Sequence, residues 1–522
     1  GDVIVAIDDG MIGGSVFMNG AAGISSFSLG ADSSVGGVVS QRSRFSARAY
    51  DQTNTSTTTA TGSTSTVDYA ETLAASGGDV QATVAGTIGN GGVDPEGYGD
   101  VANAGGTSLA LSTDAGNAQA TITGQVRNGI DIFASGSDST FAYQQEREDG
   151  LLTASSEQRS STATGGTATL VVDANNRDLP ANFGDVRVIG QSGSRASIGA
   201  DSTVLAATNG ASMQVGGYFF DTTSTRDDEY TAGVLTGQTI TSSRTGTGGA
   251  ASLTNDGRIG YDGGAAFDGD DASVSVFSAT QASALNNGQI FGSIGAFSIY
   301  EDVTSTKTLT DIGDVTQVNT TTTTYSATGG SATVTNNGLV TGDASLAAID
   351  GTLTNNGVLR GDVSLGDNVD NYTTRSVDTL TQLGEEEVFD LADAIEQGYA
   401  VEQNGLLGGT IVVEGAFGSI DDTVRTSNIT ADIALNSGAV TGGGVIAEYD
   451  EETGERFTDT NVMLNGTGYL GLGSAALTQL EDAFGDIDPG ISAAGDLMAF
   501  AGGARVLGVD TLTKTGSGAF LI

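Results

Sequence analysis

Histidine, cysteine and tryptophan are absent from the 522 residues, lysine occurs only at Lys307 and Lys514, and proline occurs three times. Without histidine or cysteine the chain cannot build a Ser-His-Asp triad, a Cys-His pair, a disulfide, an imidazole general base, or a zinc site of thiolates and imidazoles. A Ser-Lys dyad would need one of the two lysines. Lys307 lies in a Thr-rich stretch and Lys514 in a terminal repeat, and neither is the setting of a buried catalytic amine. Cations as a class are scarce, 19 against 64 acids for a net charge of -45. That balance repels phosphate backbones and anionic lipid, excludes nucleic acid as a partner, and favours divalent cations. No apolar run approaches the length of a membrane span.

What the chain does have is glycine, 80 residues of it, among Ser, Thr, Asn and single Val, Ile, Leu and Ala. A mean hydropathy of -0.03 is too apolar for a disordered acidic chain. Runs such as Ala120-Thr121-Ile122-Thr123-Gly124-Gln125-Val126 alternate as half-buried strands do.

Internal repetition organises the rest. Thr335-Asn336-Asn337-Gly338-Leu339-Val340-Thr341-Gly342-Asp343 returns 19 residues later as Thr354-Asn355-Asn356-Gly357-Val358-Leu359-Arg360-Gly361-Asp362. A unit of about 20 residues with short strands and polar turns is one coil of a parallel β-solenoid. Further Asn-Gly or Asp-Gly pairs at 90, 128, 209, 256, 287, 404 and 465 suggest the same corner, where Asn and Gly would supply positive φ. Gly-Gly pairs starting at 77, 165, 248 and 329 stand 88, 83 and 81 residues apart, so a block of several coils recurs. Upstream of each pair, over 42–75, 139–164, 218–247 and 298–328, an aromatic (Tyr50, Tyr143, Phe220, Tyr300) leads into Thr, Ser and charge, the pattern of a polar hairpin arm. A fifth arm starts at Tyr372.

The expected fold is all-β: a right-handed parallel β-solenoid, or β-helix, of roughly 20-residue coils with protruding Thr/Ser-rich hairpin arms and minor helices. Coils or a cap occupy 1–41, repeated blocks with arms 42–371, an acidic arm 372–403 and further coils 404–522. Helices are expected at 385–395, from its spacing and acidic start, and at 474–484, with Ser474 as N-cap. Roughly 15 to 20 coils would give a body on the order of 70 to 100 Å long.

No catalytic residue and no organic cofactor suggests itself. A carboxylate pair could cleave a polysaccharide, as in a tailspike-like solenoid, and this is the alternative reading. The metal candidates are Asp268, Asp270 and Asp271, in the Gly-rich acidic segment 262–271, where carboxylates could converge on Ca²⁺. Arm edges and solenoid ends with unpaired backbone groups suggest a homo-oligomer, filament or lattice.

The tail Thr511-Leu512-Thr513-Lys514-Thr515-Gly516-Ser517-Gly518-Ala519-Phe520-Leu521-Ile522 resembles the Lys-x-Gly-x-Gly-x-apolar-x-apolar repeat in passenger regions of bacterial autotransporters. Elsewhere the likeness is one of composition and period. The resemblance implies an exported β-helical passenger at the bacterial cell surface, associated with the outer membrane, with a signal peptide removed ahead of Gly1, a membrane β-barrel following, and a glycan or cell-surface receptor as partner.

Overall fold

The computed structural model describes the chain except at residues 1, 21–22, 44, 60–61, 90–106, 175–180, 182–183, 206–210, 261–271, 312–316, 367–371, 380–385, 392–395, 415–418, 421–422, 425–427, 449–457, 471–504, 518–519 and 522. Among the described residues every regular element is a strand and none is a helix.

The chain visits three sides of a stack of parallel strands in turn, one sheet to a side except the second, which is split into sheets of four and nine strands among the described residues. The first has fourteen strands, from Val3–Ile7 to Thr511–Thr515. The second is made of brief strands such as Leu339–Val340, and the third of strands such as Ala344–Ala348. One pass through all three is a rung. Successive rungs stack in register, so Asn336 lies beside Asn355, Leu339 beside Val358 and Ala344 beside Val363, each pair 19 residues apart. The two copies of the repeat are thus direct neighbours in all three sheets. Among the described residues the fourteen strands of the first sheet span thirteen steps of about 4.8 Å, a stack of about 60 Å.

Period-two patterning places the core. In Val80–Val84 the side chains of Val80, Ala82 and Val84 are buried while Gln81 and Thr83 face outward. Parallel strands need cover on their inner face. Here the three sheets cover one another, and one cluster of Val, Ile, Leu and Ala runs from Met18 to Leu470.

The corners differ from expectation. Of the described corner Asn-Gly and Asp-Gly pairs only Gly466 has positive φ, 75°; Asp149-Gly150, with φ of 49° and 80°, is the tip of an arm rather than a corner, and the other described non-glycine residues with positive φ are Leu205 and Ala232. Glycine serves close stacking instead. A Cβ on Gly338 would lie 1.9 Å from the Gly288 carbonyl oxygen, and one on Gly357 would lie 2.1 Å from that of Gly338.

Asparagine runs up the same corner in two ladders. The inner one is buried: Asn255, Asn286 and Asn336 each donate from Nδ2 to the Oδ1 of the next rung's asparagine at 2.8–2.9 Å, and Asn355 donates to Gln403 Oε1 at 3.0 Å. Each also donates to a backbone carbonyl of that next rung, as Asn336 does to Val358 O at 3.0 Å. The outer, solvent-facing ladder runs in the opposite sense, Asn337 to Asn287, Asn356 to Asn337 and Asn404 to Asn356, at 2.7–2.8 Å.

The helix expected at 385–395 is corrected. Glu386–Leu391 is a strand, antiparallel to Tyr372–Thr379. The unfinished hydrogen-bonding edge of Tyr372–Thr379 outweighs a weak local helix preference. The helix expected at 474–484 lies outside the described residues.

The arm sheet as candidate functional site

Among the described residues five long hairpins leave the third sheet, Phe45–Thr59 with Gly62–Ser76, Gly136–Glu148 with Leu151–Thr164, Phe219–Thr231 with Val234–Thr247, Ser293–Asp311 with Gln317–Gly329, and Tyr372–Thr379 with Glu386–Leu391, while the brief pair Ser419–Ile420 with Thr423–Val424 stands apart from them. They follow the third-sheet strands Val39–Ser43, Gly129–Ala134, Ala211–Gly216, the first part of Ser293–Asp311, and Val363–Leu365. Between these lie Thr107–Thr113, Val186–Gly190, Ala272–Phe277 and Ala344–Ala348, which carry no arm. Every second rung therefore bears a hairpin. A hairpin is two strands wide and its allotted space is two rungs high, each about 10 Å, so adjacent hairpins meet edge to edge.

They do meet, as antiparallel partners. Ala70 lies beside Ala142, Arg159 beside Ser224, Arg244 beside Val303 and Tyr325 beside Tyr372. Ten strands form one antiparallel sheet continuous with the third parallel sheet. The ladder of open arm edges anticipated from the repeats is thereby corrected: each arm covers the next. Two outer edges remain, on Phe45–Thr59 and Glu386–Leu391.

Carboxylates lock the arm bases. Asp138 Oδ1 accepts the Ala75 amide, Asp221 Oδ1 the Ala163 amide and Asp302 Oδ1 the Gly246 amide, each at 2.7 Å and each reaching back to the preceding arm. The Gly-Gly pairs bring the return strand onto the rung below. Gly165 and Gly248 have φ of 141° and 144°, and a Cβ on Gly249 would lie 1.9 Å from Ser192 O. Aromatic rings fill the base of the third and fourth arms, with Tyr218 against Tyr300 at 5.5 Å and Phe277 stacked on Phe297 at 4.9 Å.

The cross-strand register separates charge between the two faces. Among the residues whose side chains are described, one face carries Arg48, Arg147, Arg159, Arg226, Arg244 and Lys307, against the carboxylates Glu71, Glu157, Asp228 and Glu301. The other carries Asp51, Asp68, Glu146, Asp227, Glu229 and Asp302 among its acids, with Arg375 as its basic residue. On a chain of net charge -45, the described side chains thus make this face locally basic around Arg159, Arg226 and Arg244.

On the basic face Arg48 pairs with Glu71, which also accepts from the Tyr69 hydroxyl at 2.8 Å; the two donors hold the Glu71 carboxyl below the usual range. Asp228, 5 % exposed, joins two arms: it accepts from Ser155 Oγ at 3.2 Å, Arg226 Nε at 3.0 Å and Gln238 Nε2 at 2.8 Å. Burial pushes its pKa up, but the bonds from Arg226, Gln238 and Ser155 outweigh burial and leave it lowered. A carboxyl whose folded pKa is depressed contributes stability above its unfolded pKa and loses it as pH falls through the folded one. Hydrogen exchange of peptides spanning 154–161 and 222–229, corrected for intrinsic rate, should therefore quicken as pH drops below the ordinary carboxylate range. Asp228→Asn should show the faster exchange already at pH 6, and exchange unchanged by either would remove Asp228 from this role.

Two grooves mark the sheet. One on the basic face, about 860 Å³, is lined by Phe141, Arg159, Thr222, Ser224, Ser242 and Arg244 among others. The other, on the acidic face, about 470 Å³, includes Asp51, Asp68, Gln144, Gln158 and Asp227. Among the described residues no group of three or more Asp or Glu converges as a metal site. Asp268, Asp270 and Asp271 lie outside the described residues. The face segregation escaped sequence reading because it emerges only when five hairpins are in register: each of these arm strands holds a single basic residue, so no strand shows it by itself. No family model, no curated protein and no solved structure matches the chain.

Proposed function

We propose that this chain is a secreted, surface-exposed structural or adhesive protein without catalytic activity, comparable to an autotransporter passenger, which winds as a right-handed parallel β-solenoid and self-associates through its arm sheet. Parallel crossover connections are right-handed in nearly all known cases, which supports that hand. The absence of histidine and cysteine and the use of arm carboxylates as clamps support a scaffold over an enzyme.

The observation that carries self-association is the outer edge of Phe45–Thr59. This strand is fifteen residues long, and from Gln52 to Thr58 it is exposed and uncharged. A long flat neutral edge is a template for strand addition. The opposite outer strand, Glu386–Leu391, is only six residues long and offers a much shorter edge. Two copies related by a two-fold axis place their first-arm edges antiparallel, extending the alternation already present. Screening of the -45 charge by salt or divalent cations then strengthens association, with Asp268, Asp270 and Asp271 as the candidates for bound Ca²⁺.

Sedimentation across ionic strength tests this. Wild-type chain should shift from monomer toward dimer as salt rises, and Thr55→Lys with Thr57→Lys should remain monomeric. A wild type that stays monomeric throughout, or a variant that associates equally, contradicts the reading.

A further inference from the structure

We propose that the groove on the basic face of the arm sheet binds an acidic polysaccharide, with Arg159 and Arg244 as its carboxylate-binding residues. This site lies on the sheet face, away from the edge argued above, so the two readings can fail separately.

Arg244 is the central feature. Its guanidinium lies 3.6 Å from the centroid of the Phe220 ring, which fixes its plane at little entropic cost. Among the described residues no carboxylate stands within ion-pair distance of it. A pre-oriented guanidinium without an internal counter-charge, in a protein so acidic, suits an external carboxylate or sulfate. Arg159 stands over Phe141 at 5.1 Å, its side chain 64 % exposed, and shares Glu157. The register sets the two arginines two inter-strand steps across and two residues along the strand from each other, about 12 Å.

Between them the floor is hydroxyl, from Ser161, Thr222, Ser224 and Ser242. Each hydroxyl both donates and accepts, which suits a polyhydroxylated chain. The backbone groups beneath are spent on strand pairing on both sides, so an acidic peptide finds no edge to extend there. Phe141 contributes an apolar wall for sugar C–H faces. Charge complementarity and hydroxyl lining together favour an anionic glycan over a peptide or a neutral glycan.

The test uses the full chain and polygalacturonate, with dextran as neutral control and poly-glutamate as peptide control, by calorimetry at low and physiological salt. Wild type should bind polygalacturonate, more weakly at higher salt, and dextran not at all. Arg159→Gln with Arg244→Gln should lose at least tenfold in affinity, while Arg375→Gln on the opposite face keeps wild-type binding; matching melting curves show that all three are folded. Absence of binding by wild type, undiminished binding by the double variant, or equal binding of poly-glutamate overturns the proposal. Any of these results leaves the sedimentation outcome untouched.

Discussion

Asn336→Ala should cost about 3 to 5 kcal/mol, whereas Asn337→Ala, one residue on, should cost less than about 1 kcal/mol. The difference is burial. Asn336 is 1 % exposed, accepts from Asn286 Nδ2 at 2.8 Å, and donates to Asn355 Oδ1 at 2.9 Å and Val358 O at 3.0 Å. Truncation takes a donor from two buried oxygens and an acceptor from the buried Asn286 amide, none of which water can reach, at about 1 to 3 kcal/mol each less what relaxation recovers, and it also removes the 3.2 Å bond accepted from the part-buried Gly338 N–H. Asn337 makes the same kind of bonds, to Asn287 and from Asn356, in the open, where water replaces them. Because stacked rungs interact mainly with their neighbours, the loss should be local. Amides over 335–358 should exchange faster, those near Val80 should not, and the denaturation midpoint should fall. Equal effects of the two substitutions would show that the inner ladder contributes no more than the outer one.

Much of this fold could be read from particular residues. The doublet Asn336-Asn337 returning as Asn355-Asn356 is the register of the stack, one asparagine per ladder, and the 19-residue offset is one rung. The Gly-Gly pairs mark where arms rejoin rungs. The reason assigned to corner glycine was wrong, however. Positive φ is a property of one residue and can be guessed locally; the approach of Gly338 to Gly288 involves a residue 50 positions away and is visible only once rungs are stacked. The same holds for 385–395. Its acidic start and apolar spacing describe an isolated helix, yet the segment next to Tyr372–Thr379 completes a hairpin. Lateral closure of the arms was the largest feature out of reach. It follows from an equality between hairpin width and the height of two rungs, which neither Ala70 nor Ala142 announces in its own neighbourhood.

That closure is the central claim, and the absence of cysteine makes it directly testable, since an introduced pair has no competing thiols. Ala70 of the first arm and Ala142 of the second are direct cross-strand partners on the acidic face. Facing residues of antiparallel strands have Cα atoms about 4.5 to 5.5 Å apart, within disulfide range. Ala70→Cys with Ala142→Cys, oxidised at high dilution, should close an intrachain disulfide between the arms in nearly every molecule, seen as a monomer of increased gel mobility that reverts on reduction. Ala70→Cys with Thr241→Cys, whose positions are separated by three intervening strands on the same face, should not close. Free thiols in the first pair, or cross-linking only between chains, would mean that neighbouring arms do not pair with one another.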